Sequence, residues 1–181
     1  NLAPGAPGSA HLSLDLDLGA LAEQLPHLLE VKEDLRQIQG HLNAVVELAM
    51  TEQQATPRIE VNLRDISALN TRTGQTVRIQ PITLTATATS LGGGGAVPDI
   101  RNIRIALDTG DGGFAKADIQ GPNLGSIRGE LTASLDRLQN ELSQFVGLGD
   151  LRLAGALTTR ISTQGDLAQP GSTAVLNVVT T

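Results

Sequence analysis

His11-Leu-Ser-Leu-Asp-Leu-Asp-Leu18 alternates apolar and polar residues with a period of two, the pattern of a strand with one buried and one wet face. Directly after it the period changes. Leu18, Leu21, Leu25 and Leu28 are spaced 3, 4 and 3, which places them on one stripe of a helix. Asp17 has the chemistry of an N-cap for that helix. Pro26 lacks an amide hydrogen and clashes with the preceding turn, so the helix is predicted to stop near Gln24 or Leu25. Upstream, residues 1–10 are rich in Pro, Gly and Ala and read as a flexible lead-in.

Downstream, after a less readable stretch over 30–39, strand patterns dominate: 42–50, 58–66, 75–89, 99–109, 114–119 and 126–133. Asn70-Thr-Arg-Thr-Gly74 and Asp108-Thr-Gly-Asp-Gly-Gly113 carry hairpin-turn chemistry, and Gly92-Gly-Gly-Gly95 reads as a loop. Alternation slips inside 76–89. Val77 and Ile79 share one phase, Ile82, Leu84, Ala86 and Ala88 the other, and Gln80-Pro81 sits at the change. A bulge or edge position there accommodates both the slip and the proline.

The strand–helix–strand opening recurs near the end of the chain. Ser134 caps a second stripe, Leu135, Leu138, Leu142 and Phe145, with the same 3, 4, 3 spacing. Gly40-His-Leu42 then aligns with Gly155-Ala-Leu157, the strand 42–48 with 157–163, and Thr56-Pro57 with Gln169-Pro170. The order points to an internal duplication. It predicts a lead-in over 1–10, a β-rich unit over 11–130 with its helix near 18–25, and the start of a second unit over 131–181 with its helix near 135–146. Beginning at Asn1 without a methionine and ending in the strand-like run 173–181, the chain reads as a piece of a longer protein.

Composition narrows the function classes. Of 181 residues 40% are hydrophobic, yet Phe114 and Phe145 are the only aromatics, so the interior is built from aliphatic side chains in repeated layers. With 13 basic and 19 acidic residues the net charge is −6, which disfavours a phosphate-neutralising nucleic-acid interface. The chain has no cysteine, hence no disulfide, thiolate nucleophile or Cys-ligated metal. No apolar run approaches the ~20 residues that span a bilayer.

The chemical motifs resolve toward plain readings. His11, His27 and His41 show no metal-ligand spacing, so surface or turn positions are favoured. Asp15 and Asp17 share a strand face and could pair as carboxylates, but no base lies near them in sequence and a solvated face is the better reading. The Asp108–Gly113 loop lacks the closing glutamate of a calcium loop. The glycine run at 92–95 is followed by neither a helix start nor Lys-Ser/Thr, which argues against phosphate cradling. No serine occupies a Gly-x-Ser-x-Gly elbow. No catalytic residue, cofactor or metal is therefore expected, and the chain is expected not to be an enzyme.

The block Leu14-Asp-Leu-Asp-Leu-Gly-Ala-Leu-Ala-Glu-Gln-Leu-Pro-His-Leu-Leu29 followed by Gly40-His-Leu-Asn43 resembles segments of large AsmA-like proteins, in which a short helix ending in Leu-Pro precedes a strand opening in Gly-x-Leu. So does Leu135–Leu148 with Leu153-Ala-Gly-Ala-Leu157. The resemblance implies a repetitive β protein of the bacterial periplasm or cell envelope, anchored in the inner membrane by another part of the parent. It also implies kinship with bridge-like lipid-transfer proteins, whose partners are lipid acyl chains and envelope proteins.

The expected fold is therefore mainly β: a curved or layered antiparallel sheet, repetitive, with two short amphipathic helices covering an end or edge of the sheet. Ile59, Val61 and Leu63, and likewise Ile103, Ile105 and Leu107, are expected to line its apolar face. The expected function is non-catalytic support of lipid transport or outer-membrane assembly. The alternative is a purely structural or adhesive β repeat of an envelope protein.

Overall fold

The computed structural model describes residues 7–24, 32–91, 99–165 and 173–181. Ten strands form one antiparallel sheet: β1 (Gly8–Asp17), β2 (Leu35–Met50), β3 (Gln54–Asn70), β4 (Gln75–Arg78), β5 (Ile82–Leu91), β6 (Asp99–Asp108), β7 (Ala115–Asn123), β8 (Arg128–Ser134), β9 (Ala156–Gln164) and β10 (Thr173–Thr180). The order is β1-β2-β3-β5-β6-β7-β8-β9-β10, with β4 beside the far end of β3. Each strand thus neighbours the next in the chain, β4 apart, and the sheet is open, with β1 and β10 at its edges. Bulges with left-handed backbone at Gln37, Asp65 and Asn102 (φ 52°, 58° and 51°) add the local twist that curves such a sheet.

The two helices are α1 (Leu18–Gln24) and α2 (Leu135–Phe145). Asp17 Oδ1 accepts from the amides of Gly19 (2.8 Å) and Ala20 (3.1 Å), and Ser134 Oγ from that of Arg137 (3.4 Å). Both caps satisfy amides that lack intrahelical partners. Leu25, Pro26 and Leu28 lie outside the described residues, as do His27 and the glycine run at 92–95. The order β1–α1–β2–β3 recurs as β8–α2–β9–β10. A glycine of positive φ lies inside β2 in the first block, Gly40 (153°), and directly before β9 in the second, Gly155 (91°). The boundary between the expected units, at 130 and 131, falls inside β8, and one sheet runs across it.

Strand β1 opens at Gly8, within the expected lead-in over 1–10, because residues 8–10 pair with the end of β2; other strand bounds differ from the sequence reading where bulges break the period. β2 extends back to Leu35 through a bulge at left-handed Gln37, which shifts the pairing between Arg36 and Gln39. Asp65 likewise lets β3 run on to Asn70, where it pairs with β4. The Gln80-Pro81 slip is the break between β4 and β5, both of which pair with β3. At the Asn70–Gly74 turn, Asn70 Oδ1 accepts from the amides of Arg72 and Thr73, both at 3.0 Å. The Asp108 carboxylate accepts from Gly110 N at 2.8 Å, and the fully buried Thr109 hydroxyl bridges to the Ala115 backbone at 2.9 Å.

Among the described residues, the buried apolar cluster sits at one end of the sheet, while Ala117, Thr159 and Thr163 are buried elsewhere. Phe145, at the end of α2, packs with Leu35, Ile66 and Ala68, and Leu18, Leu63 and Val77 press in around them. Lys32 ties the same corner down: its amide donates to Phe145 O at 2.9 Å, and its Nζ to Ser143 O.

Candidate functional site: a two-faced sheet

Directly opposed residues on neighbouring strands point to the same face, so the pairing register sorts the whole sheet into two surfaces. One rung runs Leu12, Val46, Ile59, Ala86, Ile105 and then on through Ile119, Gly129, Ile161 to Leu176. The next runs Leu14, Ala44, Val61, Leu84, Leu107 and then Ala117, Leu131, Thr159 to Val178. A third begins Leu16, Leu42, Leu63, Ile82. Thr159 is the single polar residue among the eighteen of the first two rungs.

The opposite face is the reverse. Its rungs include Asp15, Asn43, Asn62, Thr83, Asp108, Lys116 and, one register on, Glu60, Thr85, Asp118, Glu130 and Arg160. This face holds the ion pairs Arg58–Glu60 (2.9 Å) and Arg160–Glu130 (3.6 Å). The Asn62 amide and the Arg58 guanidinium hold the Glu60 carboxyl below the usual carboxylate range.

Ile59, Val61 and Leu63 of β3 and Ile103, Ile105 and Leu107 of β6 all lie on the apolar face, by their alternation within each strand. Ile59 and Ile105 share a rung through Ala86, and Val61 and Leu107 through Leu84. Leu63 stands at the helix end, against the small core. Ile103 opposes Gly121 beside the Asn102 bulge, away from the helices.

Among the described residues no second sheet covers this face. The helices shield the end near Phe145, the middle strands are half-buried by their neighbours, and exposure rises toward the edges, from 39% at Ile59 to 69% at Leu12 and 63% at Leu176. Nine strands at ~4.8 Å spacing make a surface roughly 40 Å across. That exceeds the scattered apolar exposure ordinary for a soluble monomer.

The other sequence candidates stay apart. Exposed His11 Nδ1 is 3.6 Å from Glu47, and His41 is exposed. Asp15 accepts a long bond from Asn43 (3.5 Å), while Asp17 caps α1. Among the described residues no three His, Cys, Asp or Glu side chains group as metal ligands, and no helix is long and apolar enough to cross a membrane. No family model, curated protein or solved structure matches the chain.

Proposed function

We propose that this chain is a segment of an AsmA-like protein of the bacterial periplasm that supports lipid transport or outer-membrane assembly. It does so by lending an apolar surface to acyl chains and performs no chemistry. The observation that carries this reading is the pair of rungs from β1 to β10, apolar at seventeen of eighteen positions and, among the described residues, not covered by a second sheet. Its lining is aliphatic, which suits disordered hydrocarbon, and it offers almost no polar group for a specific headgroup. Its breadth exceeds the ~15 Å depth of one leaflet's hydrocarbon. The resemblance of residues 14–29 and 135–157 to AsmA-like segments points the same way.

The experiment is binding of a fluorescent fatty acid to the protein, with Ile103→Glu and Ile105→Glu as variants. Saturable binding that both changes abolish, in chains that keep their far-ultraviolet dichroism, supports the proposal. No binding, together with unfolding by both changes, assigns the face to an ordinary core.

A second reading, the structural or adhesive repeat, draws on β10. This edge strand is apolar on both faces, with Val175, Leu176, Val178 and Val179 exposed by 46, 63, 54 and 53%. It carries no charge, proline or bulge to discourage pairing. Concentration-dependent association without fatty-acid binding would favour that reading.

A further inference from the structure

We propose that the polar face carries a binding site for phosphate-type oxyanions, formed where Arg104 of β6 and Arg128 of β8 flank Gln120 of β7 on one rung. The site lies on the side of the sheet opposite the apolar rungs and does not depend on what those rungs bind. The register sets Arg104 opposite Gln120 and Gln120 opposite Arg128. The two arginine backbones are thus two strand spacings, roughly 10 Å, apart. Two guanidinium groups reaching inward from that separation can fork onto one tetrahedral anion, with the Gln120 amide beneath it.

A cleft of about 690 Å³ opens at this point, lined by Arg104, Gln120, Arg128, Thr87, Asn102 and Ser126 together with Ile103, Gly121 and Pro122. Two local features shape it. Asn102 sits in the left-handed region (φ 51°) and displaces β6 from its regular register. At Gly121 a Cβ would come within 2.9 Å of Ser126 O and Ile127 Cα, so only glycine lets the Leu124–Ser126 turn fold back against β7 and bring Ser126 to the rim.

Charge marks the cleft out in an acidic chain. No Asp or Glu lines it, while every polar residue that does can donate a hydrogen bond. Neighbouring arginines are spoken for: Arg58 by Glu60 at 2.9 Å, Arg101 by Asp99 at 2.7 Å and Arg160 by Glu130 at 3.6 Å. Among the described residues, neither Arg104 nor Arg128 forms an ion pair within 4.0 Å. The acids of the adjoining rung, Glu60, Asp118 and Glu130, confine an anion to the arginine rung by repulsion.

Calorimetric titration of the protein with inorganic phosphate, paired with amide chemical shifts, tests the site. Saturable binding is expected, with shifts centred on Gln120 and Ser126. Arg104→Gln and Arg128→Gln should each weaken it by about tenfold, the loss of one charge-assisted contact of ~1.4 kcal/mol, and the double change should remove it. Arg58→Gln, at an arginine already paired with Glu60, should leave it unaltered. Flotation with phosphatidylcholine vesicles, with and without phosphatidylglycerol, separates the sources. Capture by the anionic vesicles that phosphate competes away identifies a lipid headgroup, and phosphate binding without capture identifies a free anion; either supports the site. Absence of saturable binding, shifts elsewhere in the sheet, or undiminished binding by the double variant would overturn it.

Discussion

Ile59 of β3 and Ile105 of β6 meet the same residue, Ala86 of β5, from its two sides, so they stand on one rung of one face. Small Ala86 between two β-branched side chains leaves the rung uneven, and Ile59 keeps 39% of its surface exposed. Such residues contribute less to stability than a sealed core. Ile59→Ala and Ile105→Ala are each expected to cost about 1 kcal/mol, below the ~2–5 kcal/mol of a fully buried aliphatic side chain. Urea titration checks this, and losses above that range would mean that the face is sealed.

Phe145 should behave in the opposite way. It is 9% exposed and packs on Leu35, Ile66 and Ala68, so it joins α2 to the far side of the sheet. Phe145→Ala is expected to cost roughly 3–5 kcal/mol and to expose the amides around Lys32 and Leu35 to hydrogen exchange. Half-buried Leu142 should cost less on the same change.

Gly129 occupies the apolar rung between Ile119 and Ile161. A Cβ there would lie 2.6 Å from Ile119 Cγ1 and 2.8 Å from Asp118 O. The side chain can rotate away, but the carbonyl cannot. Gly129→Ala should therefore destabilise by about 1–3 kcal/mol through overpacking, although alanine ordinarily suits a strand better than glycine. A neutral result in thermal unfolding would refute this close approach.

Glu141 gives the folded state a pH dependence. Burial raises its carboxyl above the ordinary 4.5, Arg137 counteracts this in part, and Oε2 has no hydrogen-bond partner. Between 4.5 and the raised value the native state binds more of this proton than the unfolded chain does, so the group's contribution to stability falls as pH rises through that window. Glu60, held low by Asn62 and Arg58, acts in the other direction: its contribution is lost as pH falls through its folded value. Glu141→Gln should raise the melting temperature at neutral pH and flatten the slope just above the ordinary carboxylate range. A variant that melts lower at neutral pH would contradict this.

The alternations 58–66 and 99–109 were legible because each strand puts one face to water, so period two survives in the sequence. The segment 35–39 was not, because left-handed Gln37 interrupts the period inside a continuous strand. The slip at Gln80-Pro81 marks a real break, yet that both flanking strands pair with β3 depends on the Asp65 bulge in a different strand. The same limit governs the site. Ile59 and Ile105 announce themselves by alternation, but that Ala86 lies between them, or that Gln120 lies between Arg104 and Arg128, is a matter of cross-strand register. No local pattern encodes that register.

If acyl chains lie on the rung through Ile59 and Ile105, neighbouring positions on one strand must differ in their contact with lipid. A photo-activatable side chain placed at residue 105 faces the apolar rung, and one at 106 faces the polar rung of Glu60, Thr85 and Asp118. After irradiation with phospholipid vesicles, mass spectrometry should find lipid adducts at 105 and none at 106. Equal labelling at both positions, or adducts at 106 alone, would contradict lipid binding on this face.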